Sequence, residues 1–243
     1  KKQNGFAFAA HPATKKSALQ SMFLNRGNWS QKDICSNQID AVQAFNGSYK
    51  QAWERGKKLW INALMSGKRL SLIAGNDAHG DFNRYRAIKV PFISILENFE
   101  RYMGFGKTGV YGRNLSREKL LRAIKDGKTF ITTGPYLSIN GSSEPFDHVV
   151  SNAIVSGDKK VFFIHAISTA EFGTLSKIAL FGFYRGESEE TVLFSRCYGD
   201  GCYEANEPVS LREIENLMYV RAEATSKTED NKTYSAFTSP CYF

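Results

Sequence analysis

Beyond about residue 140 the chain breaks into short apolar-rich runs, and this pattern restricts its fold more than any other feature. The runs are VFFIHAIS (161–168), KIALFGFY (177–184), TVLFS (191–195) and MYVRAEAT (218–225). In the first, Val161, Phe163, His165 and Ile167 share one face of a strand. Turn pairs such as Arg185-Gly186 and Asp200-Gly201 separate some of the runs. Short, spaced strands of this kind predict an immunoglobulin-like β-sandwich over residues 140–243.

The first part reads differently. GFAFAA (5–10) is a short buried strand stopped at His11-Pro12, and IDAVQAF (39–45) is a second strand before Asn46-Gly47. A helix follows from about Tyr49 to Ser66. Trp53, Trp60 and Leu64 lie on one of its faces, and Gly67 is a natural stop. Leu70 to Gly75 form a third strand. A second helix runs from about Ser116, a plausible N-cap, to Asp126, with Leu120, Leu121 and Ile124 as its apolar stripe. KTFITTGP is a strand ended by a Gly-Pro turn. Residues 81–106 give no clear pattern. Strands alternating with helices predict α/β architecture over residues 1–139, with a domain boundary near residue 140.

With 42% hydrophobic and 23% charged residues, the chain can build a packed core. No apolar run reaches the roughly 18 residues of a membrane-spanning helix. The opening KKQNGFAFAAHP holds no signal-peptide core, although an export signal could precede it. A net charge of +8 favours anionic partners, but the basic residues are scattered, which argues against a nucleic-acid interface. Cys197 and Cys202 flank Tyr-Gly-Asp-Gly. They either close a small disulfide ring, which would place the protein in an oxidising, exported setting, or stand as free thiols at a hairpin tip.

The chemistry centres on SLIAGNDAHG (71–80). In an extended segment residues i and i+2 point the same way, so Asp77 and His79 can aim a carboxylate and an imidazole into one space. That pair suits zinc, manganese or iron, and ligands of parallel α/β folds bind at the carboxyl ends of strands. As a chance pattern, Asp-x-His alone is weak, and both residues could simply shape a loop. His11 strengthens it, because it too ends a buried strand. His148 and His165 read as loop and core histidines. Arg84, Arg86 and Lys107 are candidate phosphate-binding groups, with solvated loop charge as the plainer reading. Asn46 reads as a turn residue.

GFAFAAHP, IDAVQAFNG, ALMSGKRLSLIAGNDAHG and SREKLLRAIKDGKTFITTGP, in that order, resemble the second half of a PHP-superfamily (polymerase and histidinol phosphatase) metallohydrolase. The resemblance is to the CehA/McbA-like branch, whose usual ending YSAFTSPCYF resembles. It implies the carboxyl-terminal part of a distorted seven-stranded β/α barrel followed by a β-sandwich. It also implies two or three divalent metal ions and hydrolysis of phosphoesters or related esters. Carried over by motif, His11, Asp77 and His79 are metal ligands, with Asp77 also in the catalytic role. The family's opening His-x-His and its middle ligands would precede this chain, so the amino-terminal half of the barrel is expected as a partner segment, and the fragment alone is expected to be inactive. Gln43 stands where the branch usually has Glu, which removes a negative charge. That departure supports the alternative of a non-catalytic binding protein that holds a carbohydrate, a protein or a cell-surface partner.

Overall fold

The computed structural model describes residues 5–13, 29–46, 50–76, 86–90, 93–97, 104–112, 116–140, 154–156, 159–212 and 214–243. In chain order the elements are β1 (Phe8–Ala9), α1 (Gln31–Ile34), β2 (Ala41–Asn46), α2 (Lys50–Met65), β3 (Ser71–Gly75), β4 (Arg86–Val90), β5 (Ile93–Glu97) and β6 (Lys107–Val110). Then follow α3 (Arg117–Lys125), β7 (Thr129–Thr132), β8 (Tyr136–Asn140), β9 (Ile154–Ser156), β10 (Lys159–Ile167), β11 (Thr174–Tyr184) and β12 (Thr191–Cys197). The chain ends with β13 (Glu204–Leu211), β14 (Leu217–Lys227), β15 (Thr233–Thr238) and β16 (Cys241–Tyr242). Among the described residues the strands form several sheets and no closed barrel. No helix there is long and apolar enough to cross a membrane.

The protein is rich in β-sheet. A parallel sheet has the order β1-β2-β3, and β4 pairs with β5. Two antiparallel sheets pack face to face. One is β13-β10-β8 with β9 on β10; the other is β12-β11-β14-β15-β7-β6 with β16 on β14. Their inner faces meet through Leu137, Ile139, Phe162, Ile164, Leu175, Ile178, Leu180 and Val220. The inward face of β10 is therefore Phe162, Ile164 and Ala166, opposite the face that carries His165. β13 alternates strictly, with Ala205, Glu207, Val209 and Leu211 buried and its neighbours exposed.

The seven-stranded sheet has a second core on its other face. There Ile131, Phe183, Tyr219 and Phe237 pack against Trp53, Trp60 and Leu64 of α2 and against Val42 and Leu72 of the parallel sheet. Each fully buried Leu or Ile in such a layer contributes about 1.5–3 kcal/mol. One sheet thus serves both halves of the chain. Its members β6 and β7 lie before residue 140 and the rest after it, so the sheet crosses the boundary that the sequence pattern suggests.

Helix α2 lies close to β2. A Cβ at Gly56 would stand 2.5 Å from the Ala44 carbonyl oxygen, a backbone atom with little room to move. Alanine favours a helix over glycine by about 1 kcal/mol. The overpacking costs typically about 1–3 kcal/mol and should win. Gly56→Ala is expected to lower the urea midpoint, and a raised midpoint would mean that the helix has free space to retreat.

The outer edge of β3 pairs with hydroxyl side chains in place of a strand. The Leu72 N–H donates to Ser239 Oγ (2.8 Å) and the Thr129 hydroxyl donates to the Leu72 carbonyl (2.9 Å). The Ala74 N–H donates to Thr108 Oγ1 (2.9 Å), whose hydroxyl returns a bond to the Ala74 carbonyl (3.2 Å). Buried backbone groups need such partners, and here they lock β3 to β6 and β7.

A charged cluster lies in the second core. Arg221 is 1% exposed, with its guanidinium 4.5 Å from the Phe181 ring centroid and 5.9 Å from that of Trp60. Its Nε donates to Glu190 (2.7 Å), and it also pairs with Glu223, which Lys57 of α2 reaches from above. Burial alone would raise the Glu223 carboxyl, but Arg221 and Lys57 outweigh that and hold it below its usual range.

All four cysteines are free thiols. The segment between Cys197 and Cys202 is no hairpin tip: β12 pairs with β11 and β13 with β10, so the chain passes from one sheet to the other there.

Candidate functional site

β2 and β3 end together, β1 stops four residues earlier along β2, and polar side chains collect in the step between them. β1 aligns Ala9 with Val42 of β2, and β2 aligns Asn46 with Gly75 of β3. His11 follows β1 by two residues. Its φ of 34° lies in the left-handed region, which few non-glycine residues adopt. The Gln43 side chain supports it, because the His11 N–H donates to Gln43 Oε1 (3.2 Å). The other end of the same amide donates to Asn46 Oδ1 (3.2 Å). Both Gln43 and Asn46 are 8% exposed, so Asn46 is a buried strand-end group and not simply a turn residue.

Gly75 leaves room for the Gln43 amide. A Cβ there would stand 2.4 Å from Gln43 Nε2. The next residue, Asn76, grips Gly106 with both ends of its amide. The Gly106 N–H donates to Asn76 Oδ1 (2.7 Å), and Asn76 Nδ2 donates to the Gly106 carbonyl (3.3 Å). These two bonds hold the end of β3 against the residue that precedes β6. On the other side, Arg55 of α2 donates to the Ala13 carbonyl (3.2 Å) and ties down the segment that carries His11.

Asp77, His79, Arg84 and His148 lie outside the described residues. Arg86 opens β4, opposite Glu97 of β5. Lys107 opens β6, and its ammonium lies 5.4 Å from the Phe172 ring centroid. Its neighbour Thr108 faces β3, so strand alternation directs Lys107 away from the Gln43 cluster. His165 is buried in β10 with Nε2 2.8 Å from Glu204 Oε1, as a core histidine with a partner. Among the described residues no group of three or more His, Cys, Asp or Glu side chains is gathered for a metal ion. The Gln43 bridge and the Asn76 clamp were not legible as site features. The hints were that both amides occur within or just after short apolar runs, and that Gln43 stands where the resembled branch has Glu.

Comparison with family profiles, with curated proteins and with solved structures returned no match.

Proposed function

We propose that the chain forms part of a PHP-type metal-dependent hydrolase of phosphoesters or related esters, built on the last strands of a distorted β/α barrel and extended by the β-sandwich. The observation that carries this reading is the chain of contacts from the His11 backbone through Gln43 to Asn46, which lies opposite Gly75 at the end of β3, with Asn76 and Asp77 next in the chain. Such strand ends are where α/β folds bind ligands. The donor chemistry fits a borderline divalent cation: His11 is exposed and its imidazole has no partner among the described residues, and a carboxylate and a second imidazole follow Asn76 closely.

His11, Asp77 and His79 would hold the metal, together with ligands that the family carries ahead of this stretch. The bound ion would lower the pKa of a water molecule and polarise a phosphoryl oxygen. Gln43 would keep the His11 backbone in place, and Asn76 would hold the end of β3 against Gly106. Arg84 and Arg86 would bind phosphate oxygens bidentately. Lys107 would join them only by leaving the Phe172 ring. In the intact protein, Asp77→Ala is expected to abolish divalent-metal content and the hydrolysis of nitrophenyl phosphate mono- and diesters. Unchanged content and activity would overturn the assignment.

Gln43 favours a second reading, a binding protein without turnover. Its amide is neutral and both of its ends are engaged, so it adds no charge to a cation site. A protein that binds no divalent metal when intact would support that reading.

A further inference from the structure

A cavity of about 390 Å³ lies between α2 and the seven-stranded sheet, beside the strand-end cluster but lined by different side chains. Its size falls in the range of small-molecule sites. One wall is aromatic. Trp53 and Phe237 have ring centroids 4.3 Å apart, Phe45 lies 5.8 Å from Trp53, and Phe105 continues the wall 5.9 Å from Phe45. Ile131 adds to the apolar lining, and the polar side chains are Lys57 and Glu223, joined as an ion pair, hydroxyl residues including Thr233 and Ser235, and Glu54. Glu54 is exposed and has no partner among the described residues.

Charge and shape decide among ligand classes. Two carboxylates face one ammonium, and that ammonium is already paired, so a phosphorylated or carboxylated ligand would meet repulsion from Glu54. An organic cation would find its place taken. Lys57 Nζ stands 5.0 Å from the Phe237 centroid and 6.0 Å from that of Trp53, where a ligand cation would sit. A wholly apolar ligand could use the aromatic wall but would cover the hydroxyl residues without replacing their hydrogen bonds to water. What remains is a neutral molecule with one C–H face and a rim of hydroxyl groups. Adjacent hydroxyls can donate together to a carboxylate, while the C–H face packs on aromatic rings.

We propose that this cavity binds a neutral sugar ring, with the partly exposed Phe45 and Phe105 against its C–H face and Glu54 accepting from its hydroxyls. The site is independent of the metal chemistry, and the test is run in chelator. The intact protein is titrated with glucose, galactose, mannose, N-acetylglucosamine and β-linked disaccharides, and with glucose 6-phosphate as the anionic comparator. Binding is read by tryptophan fluorescence and saturation-transfer NMR, and Trp53→Phe assigns the optical signal. At least one neutral sugar should saturate. Glu54→Ala, an exposed change that leaves the core intact, should weaken it by about tenfold or more, as expected for a hydrogen bond to a charged group. Phe105→Ala should weaken it as well. The proposal is overturned if no neutral sugar saturates, if glucose 6-phosphate binds more tightly than glucose, or if Glu54→Ala binds the sugar as the wild type does.

Discussion

Arg221→Met is expected to destabilise the protein by about 3–5 kcal/mol, the cost of breaking a buried ion cluster by removing one partner. The guanidinium and the Glu190 carboxylate are 1% and 7% exposed, so water cannot replace the lost bonds cheaply. Methionine can fill the slot between Phe181 and Trp60, so lost packing contributes little, and the effect isolates the charge. The pH dependence has a definite sign. The folded-state carboxyl of Glu223 is held below its ordinary value of 4.5. It therefore contributes stability that is present above the unfolded pKa and is lost as pH falls through the folded one. Arg221 is the larger of its two cationic supports, ahead of Lys57. The gap between wild type and Arg221→Met should be widest near neutral pH and should narrow below about pH 4.5, as followed by urea unfolding. A gap that widens on acidification would contradict the assignment of Glu223 to this pair.

The second large effect concerns the strand ends. Loss of Asp77 should reduce hydrolysis by at least about a hundredfold, because loss of even outer-sphere partners of metal ligands costs 10–100-fold. Gln43 supplies the complementary test. A carboxylate at this position would still accept from the His11 N–H, and the Asn46 amide can turn to donate to it. Gln43→Glu thus introduces a negative charge without breaking the bridge. It should tighten divalent-metal binding by about tenfold, an effect of one charge–charge interaction in partial burial. Weaker metal binding in this variant would mean that position 43 faces away from the cation.

What the sequence revealed was local. Trp53, Trp60 and Leu64 repeat at helical spacing, and α2 buries that face. The apolar runs before His11, Asn46 and Asn76 end where the parallel strands end. The missed elements have physical reasons. In β13 the exposed positions are Glu204, Asn206, Pro208 and Ser210, and a proline within a polar-looking run hides a strand that is held at the edge of its sheet. β8 begins directly after the Gly-Pro turn, and the residues it gives to the sandwich core are Leu137 and Ile139. The shared seven-stranded sheet was invisible because β7 pairs with β15, about a hundred residues later, and such pairing leaves no local trace. The proposed site rests on His11, Asp77 and His79, which stand out by residue type and position, and of these the structure describes His11. The Gln43 bridge to His11 spans 32 residues, and the aromatic cavity draws Phe45, Phe105 and Phe237 from three distant segments, so both needed the fold.

The central claim is a divalent-metal site at the carboxyl ends of β1, β2 and β3. Its most direct test is calorimetric titration of Mn²⁺ and Zn²⁺ into the chelator-stripped intact protein, the Asp77→Ala variant and the Gln43→Glu variant. The account predicts saturable binding in the wild type, loss of that binding in Asp77→Ala and tighter binding in Gln43→Glu. Equal binding in the wild type and Asp77→Ala, or no binding by the intact protein, would contradict it.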